Sequence, residues 1–411
     1  MKVVGLITEY NPFHNGHLYH IEQAKNITGA DKVIVVMSGD FVQRGTPAIM
    51  PKHLRTEMAL RCGANAVFEL PVCYATGSAE TFALGAISLL EQLGVADSIC
   101  FGSECNNLSE MQQIADILLE EPAEYQCHLQ AGLKKGLSYP SARENALRQY
   151  MNNDCFRILS SPNNILGIEY LKALKIIESS MIPYSIQRTE SNYHDTELRS
   201  RYSSASSIRN LLSYSGEVIH TVDLERQVPA SCLQLLRDNH KLRYPVYQND
   251  FSLLLKYRLM RKSAKNLRKY QDMSRELANR IQNKKNNYIH YDQFCELLKT
   301  KELTYTRINR ALLHVILNIK EDDLKRYKKS GYHFYARLLG FQKSSQSILT
   351  AISKNSTLPL LTKLTSTEDI SKLGLHMLEQ DLFASDLYES AVAERYTAAF
   401  ESEFQKQIVI L

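Results

Sequence analysis

The chain has 411 residues, 44% hydrophobic and 23% charged, with a formal net charge of +5. This is the make-up of a folded protein of two or more domains, and it excludes a disordered or fibrous chain. No apolar run approaches the roughly 20 residues that span a bilayer. The first residues read as a strand rather than a signal peptide, and the eight cysteines contain no Cys-x-x-Cys pair, so a reducing, cytoplasmic protein with no membrane partner is expected.

In chain order, short runs rich in Val and Ile predict strands at residues 3–7, 33–37, 66–70 and 98–101. Helical patterns over 16–28, 52–62 and 78–93 separate them, the last closed by Gly94 as a C-cap. Such alternation predicts an α/β fold with a parallel, Rossmann-like sheet. Helices over 108–119, 142–150 and 163–179 follow, then an extended stretch at 184–188. The polar residues 213–216 mark a boundary. Beyond it the patterns are helical, as at 253–270 and 303–317. The chain is therefore expected to divide into a Rossmann-like nucleotide-binding domain, 1–215, and a mainly α-helical domain, 216–411.

Tyr10-Asn11-Pro12-Phe13-His14-Asn15-Gly16-His17-Leu18-Tyr19-His20 lies after the first strand and enters the first helix. In an open parallel sheet, ligands bind at the carboxyl ends of the strands, where the free N–H groups of the next helix attract an anion. Asn11-Pro12 sets a turn, and Gly16 removes a Cβ where the backbone would approach phosphate. His14 and His17 can then donate to an α-phosphate as charge builds during in-line displacement. Metal binding by His14, His17 and His20 is disfavoured, because His14 and His20 lie about 240° apart on a helix.

A second motif, Ser204-Ala205-Ser206-Ser207-Ile208-Arg209, offers hydroxyls to cap a helix and a guanidinium to grip phosphate. Together with His14-Asn15-Gly16-His17 it resembles the paired signatures of the HxGH nucleotidylyltransferases. The departure is Ala205, where many members carry serine. Further stretches resemble one bacterial family within that superfamily, the tRNA(Met) cytidine acetate ligases. They are Thr8 to His20, Met37-Ser38-Gly39-Asp40-Phe41-Val42-Gln43-Arg44-Gly45, Gly77-Ser78-Ala79-Glu80, Phe101-Gly102-Ser103-Glu104 and the run from Ser161 to Leu171. Tyr305-Thr306-Arg307-Ile308-Asn309-Arg310 and Tyr335-Ala336-Arg337 carry the likeness into the second half. Asp40 stands where the family is associated with Asn, and a carboxylate beside phosphates would need a cation next to it.

The resemblance implies a ligase that activates acetate with ATP to acetyl-adenylate. It would then transfer the acetyl group to the wobble cytidine of elongator tRNA(Met), forming N4-acetylcytidine, with Mg²⁺ accompanying ATP. The implied catalytic residues are His14, His17 and Arg209. The implied ATP contacts are Ile7, Thr8, Glu9, Tyr10, Asn11, Pro12, Phe13, His14, Asn15, Gly16, His17, Leu18, Tyr19 and His20, with Gly102, Asn163, Arg188, Ser206, Ser207 and Arg209. Gln43, Arg44, Lys52 and Arg55 gather near the second strand and are candidates to neutralise leaving pyrophosphate. Nothing announces an acetate pocket.

Lys256, Arg258, Arg261, Lys262, Lys265, Arg268 and Lys269, interleaved with Tyr257 and Tyr270, form an acid-free run suited to phosphates and unpaired anticodon bases. Lys325, Arg326, Lys328 and Lys329 make a second patch, and the acidic stretch 379–403 is expected to face away from RNA. The rival reading is an adenylyltransferase acting on a small phosphorylated substrate, for which the same two motifs would serve. No Walker-type phosphate loop occurs.

Overall fold

The computed structural model describes residues 1–137, 139–151, 156–188, 204–214 and 224–411. Five strands of the first half are parallel: β1 (Val3–Thr8), β2 (Lys32–Ser38), β5 (Ala66–Leu70), β6 (Ser98–Ser103) and β7 (Ile182–Gln187). A small hairpin, β3 (Phe41–Val42) and β4 (Thr46–Pro47), projects after β2. All four predicted strands form, and the extended stretch at 184–188 adds a fifth, each within two residues of its expected ends.

The same residues explain why the strands read as continuous apolar runs. Along β2, Ile34 and Val36 face one core, while Val33, Val35 and Met37 face the other. A strand buried on both faces alternates between two apolar layers rather than between core and water. Helices Ala79–Gln92 and Pro162–Ile176 cover the first face; helices Asn15–Thr28 and Lys52–Arg61 cover the second.

The second half is mainly helical, yet it returns to the sheet. Strands β8 (Ala336–Phe341), β9 (Leu360–Leu361) and β10 (Val409–Ile410) complete the order β10-β8-β5-β2-β1-β6-β7, with β9 paired to β8 and β8 antiparallel to β5. The sequence pattern does not announce these three strands. β8 pairs with β5, hundreds of residues away, and β9 and β10 are two residues long, so local pattern carries little of their signal. The expected helix over 253–270 is broken into Ser252–Met260 and Ala264–Leu267, because the Ser263 hydroxyl accepts from the Asn266 N–H and starts a new helix.

The order reverses around β1, with β2 on one side and β6 on the other. A crevice opens at that switch point, past the carboxyl ends of the strands.

Candidate active site at the switch point of the sheet

A cavity of about 250 Å³ fills the crevice. Ile7 and Thr8 reach it from the end of β1, Phe101 and Gly102 from β6, and Ile186 and Gln187 from β7. The chain leaves β1 through Tyr10, held at a φ of 47°. This left-handed conformation costs a non-glycine residue roughly 1–2 kcal/mol. It is offset by burying the ring against Phe13 and His17, at centroid distances of 4.7 and 4.9 Å.

The two histidines then cap their own helix. The Gly16 N–H donates to His14 Nδ1 at 3.0 Å, and the His14 N–H donates to His17 Nδ1 at 3.3 Å, a reciprocal capping box built from imidazoles. The rings stack with centroids 3.7 Å apart. Burial, then the Arg188 and Arg209 charges, push His14 down to about 3. Burial, then His14 and Arg188, hold His17 well below the usual imidazole value. Both rings are therefore neutral at pH 7. With each Nδ1 accepting a backbone N–H, the proton of each ring sits on Nε2. The loop thus presents two neutral Nε2–H donors. Gly16 serves this arrangement more directly than the expected phosphate approach, because a Cβ there would come within 2.9 Å of the His14 ring.

Arg209 joins the second motif to the first. Its guanidinium donates to the Asn11 carbonyl at 2.7 Å and to the Ser206 hydroxyl at 2.9 Å, and it lines the cavity. Ser204 caps the helix Ala205–Tyr214, accepting from the Ser207 N–H at 3.1 Å. Opposite, the Asn163 carbonyl oxygen accepts from Arg188 at 3.4 Å, while its amide donates to Glu104. Gly102 lets Arg188 lie against β6, since a Cβ would meet its Cγ at 3.1 Å. Four cationic or donor groups, His14, His17, Arg188 and Arg209, converge on one cavity.

The family description HIGH Nucleotidyl Transferase matches residues 1–403. A protein of Acetivibrio thermocellus named tRNA(Met) cytidine acetate ligase is 40% identical over 415 residues, covering 100% of both chains. One of the same name from Thermoanaerobacter sp. is 43% identical, covering 95% of this chain and 96% of its own. The chain belongs to the tRNA(Met) cytidine acetate ligase family. The crystal structure of apo Thermotoga maritima TmcAL matches with a TM-score of 0.93 at 33% identity, covering 100% of both chains. The same protein bound with alpha-thio ATP matches with a TM-score of 0.91 at 32% identity, over 100% of this chain and 99% of that one.

In this ligase-family chain most of the expected ATP-contacting residues reach the cavity, and five do not. Phe13 is buried in the core. Leu18 packs against that core. Asn15 is turned outward, donating to the carbonyls of Gln227 and Arg226. Ser207 is buried and shares a 2.8 Å hydroxyl contact with Ser204. Pro12 forms the turn, across a cis bond from Asn11, without lining the cavity. Ser204 and Ala205 line it instead.

Of the four pyrophosphate candidates, Gln43 and Arg44 line the cavity, whereas Lys52 and Arg55 are fully buried elsewhere. Arg55 donates to the carbonyls of Glu9, Ser38, Gly39 and Met50, tying down the loops after β1 and β2. Lys52 pairs with Glu69 at 2.7 Å and Glu403 at 3.1 Å, with Asp40 at 3.8 Å. Lys52 is thus the cation that Asp40 requires. The Asp40 carboxylate also accepts the Lys52 N–H, and it stands clear of the cavity. The apolar wall, Phe82, Phe101, Leu166 and Tyr170, escapes a reading of the sequence, because apolar helix and strand positions look like ordinary core.

The basic run 256–269 is exposed or half-exposed throughout its charged residues, and Tyr257 is 51% exposed. Tyr270 does not share that role, being buried with its hydroxyl near Asn318. Lys325 and Arg326 lie beside Glu321, Asp322 and Asp323, so the second patch is partly neutralised. The acidic stretch is partly internal, with Asp381, Glu389 and Glu403 all buried.

Proposed function

We propose that the chain activates acetate with ATP and passes the acetyl group to the wobble cytidine of elongator tRNA(Met) in the cytoplasm, as the names of its relatives suggest. The convergence of His14, His17 and Arg209 on one cavity carries this reading.

The acetate oxygen attacks the α-phosphorus in line, and pyrophosphate departs. The Nε2–H groups of His14 and His17 donate to the α-phosphate oxygens as negative charge grows, and their neutrality means that this costs no proton transfer. Arg209 and Arg188 hold the phosphate chain, while Arg44 and Gln43 face the departing end. Among the described residues the cavity lining contains one carboxylate, Glu9, and these residues build no Mg²⁺ cage of their own. An ion accompanying ATP would be held by phosphates and water. The run 256–269 would track the RNA backbone, with Tyr257 available for a base.

The test is incubation of the protein with ATP, labelled acetate and an elongator tRNA(Met) transcript, followed by nucleoside mass spectrometry. N4-acetylcytidine, lost when the wobble cytidine is replaced by uridine, supports the reading. Adenylylation of a small phosphorylated compound with no RNA product would favour the adenylyltransferase instead.

A further inference from the structure

Glu9 is the only acidic residue among the described residues lining the cavity. Its neighbourhood is otherwise built for anions, with Arg44, Arg188 and Arg209 on the same walls. Both ATP and acetate are negative, and a like charge about 4 Å away costs on the order of 1–4 kcal/mol at effective dielectrics of 80 to 20. Neither first-step substrate accounts for a carboxylate here.

Structural duty does not account for it fully either. Glu9 Oε1 accepts the Gln43 N–H at 3.0 Å, which fixes the side chain. Oε2 has no hydrogen-bond or ion-pair partner among the described residues. Tyr170 lines the same cavity, and burial, then the Glu9 charge, push its phenol above the ordinary range. With Phe82, Phe101 and Leu166, Tyr170 forms an apolar, aromatic wall on this side of the cavity. Such a wall suits a flat heterocycle, and a fixed carboxylate beside it suits the heterocycle's amino donor, as Glu and Asp accept from N4 of cytosine.

We propose that Glu9 is the general base of acetyl transfer, its free oxygen accepting a hydrogen bond from the cytidine amino group. This rests on the acetyl-adenylate and cytidine reading above. The N4 lone pair attacks the acetyl carbonyl carbon, and the bond from that carbon to the phosphate oxygen breaks. AMP departs with the electron pair, and the N4 proton passes to Glu9, which releases it to water. The amino nitrogen of cytosine is delocalised into the ring and a poor nucleophile, so the step needs a base.

The experiment supplies synthetic acetyl-adenylate and tRNA transcript to wild type, Glu9→Gln and Glu9→Asp under single-turnover conditions, and separately measures acetate-dependent ATP–pyrophosphate exchange. General-base removal costs roughly 10²–10⁴-fold. Transfer by Glu9→Gln should therefore fall by at least about 10²-fold more than its exchange does, and lose the acid limb of the wild-type pH profile. Glu9→Asp should recover part of the rate. Transfer by Glu9→Gln at the wild-type rate overturns the inference. So does a loss confined to exchange, which would make Glu9 a ligand of the ATP-borne cation. If wild type itself neither exchanges nor transfers, the functional reading has failed instead.

Discussion

Two regions of the molecule collect basic side chains in close quarters, and they differ in what faces them. Between helix Lys52–Arg61 and helix Lys372–Tyr396, Lys52 and Arg337 meet Glu69 and Glu403, with Arg337 3.0 Å from Glu69. Burial and Arg337 oppose the charge on Lys52, but Glu403, Glu69 and Asp40 outweigh them and hold its ammonium above the usual range. Among the described residues of the cavity, Arg188 and Arg209 meet carbonyl and hydroxyl oxygens, and Glu9 is the one carboxylate on the walls. Charge matched by buried carboxylates binds the two halves of the chain together; charge gathered on the walls of an open cavity suits an anionic ligand.

The largest effect should come from breaking the matched region. Lys52→Ala leaves Arg337 to face both Glu69 and Glu403, so that one buried negative charge goes unmatched, and should cost about 3–5 kcal/mol, read as a fall in the urea midpoint. Arg44→Ala, on the cavity wall, should shift that midpoint far less. Equal shifts would erase the distinction between the two regions. Next, His17→Ala removes one Nε2–H donor and should slow adenylate formation roughly 10²–10³-fold, with the urea midpoint changed little by comparison. A near-normal turnover would deny His17 its role.

Protonation offers a milder perturbation. His14 at about 3 and His20 at about 4 are depressed in the folded chain, both chiefly by burial. Below the unfolded value of 6.5 the unfolded chain binds more protons than the native one. These groups therefore contribute stability above pH 6.5 that is lost as pH falls toward 4. Imidazole resonances of the native protein should still report neutral rings for His14 and His17 at about pH 5, and protonated rings would contradict the capping geometry. The smallest effect concerns the surface. Replacing Lys262, Lys265 and Arg268 with Ala should weaken tRNA binding and flatten its salt dependence, the log–log slope shrinking by about 0.7–0.9 for each phosphate no longer neutralised. An unchanged slope would move the RNA surface elsewhere.

The same contrast shows how far the sequence can be read. The strands buried on both faces and the helix starts are legible because period, caps and apolar runs are local. The His14–His17 pair and the Ser204–Arg209 turn are legible because their spacing is unusual. Lys52 and Arg55 cannot be told from Arg44 by sequence, since the difference lies in Glu69, Glu403 and the carbonyls that the fold brings to them. Likewise β8 depends on pairing with β5 across most of the chain, and β10 on the β8 edge so placed. The motif from Tyr305 to Arg310 gains a meaning from tertiary contact: Gly45, with φ at 75°, presses so closely on the backbone of Asn309 and Arg310 that a Cβ would come within 2.3 Å. That contact links the helical half to the loop carrying Gln43 and Arg44.

Whether the cavity activates a carboxylate is decided by ATP–pyrophosphate exchange, measured with and without acetate in the absence and in the presence of tRNA. Exchange that depends on acetate and collapses in His17→Ala is expected. Exchange independent of acetate, or none under any of these conditions, would contradict the assignment of this site.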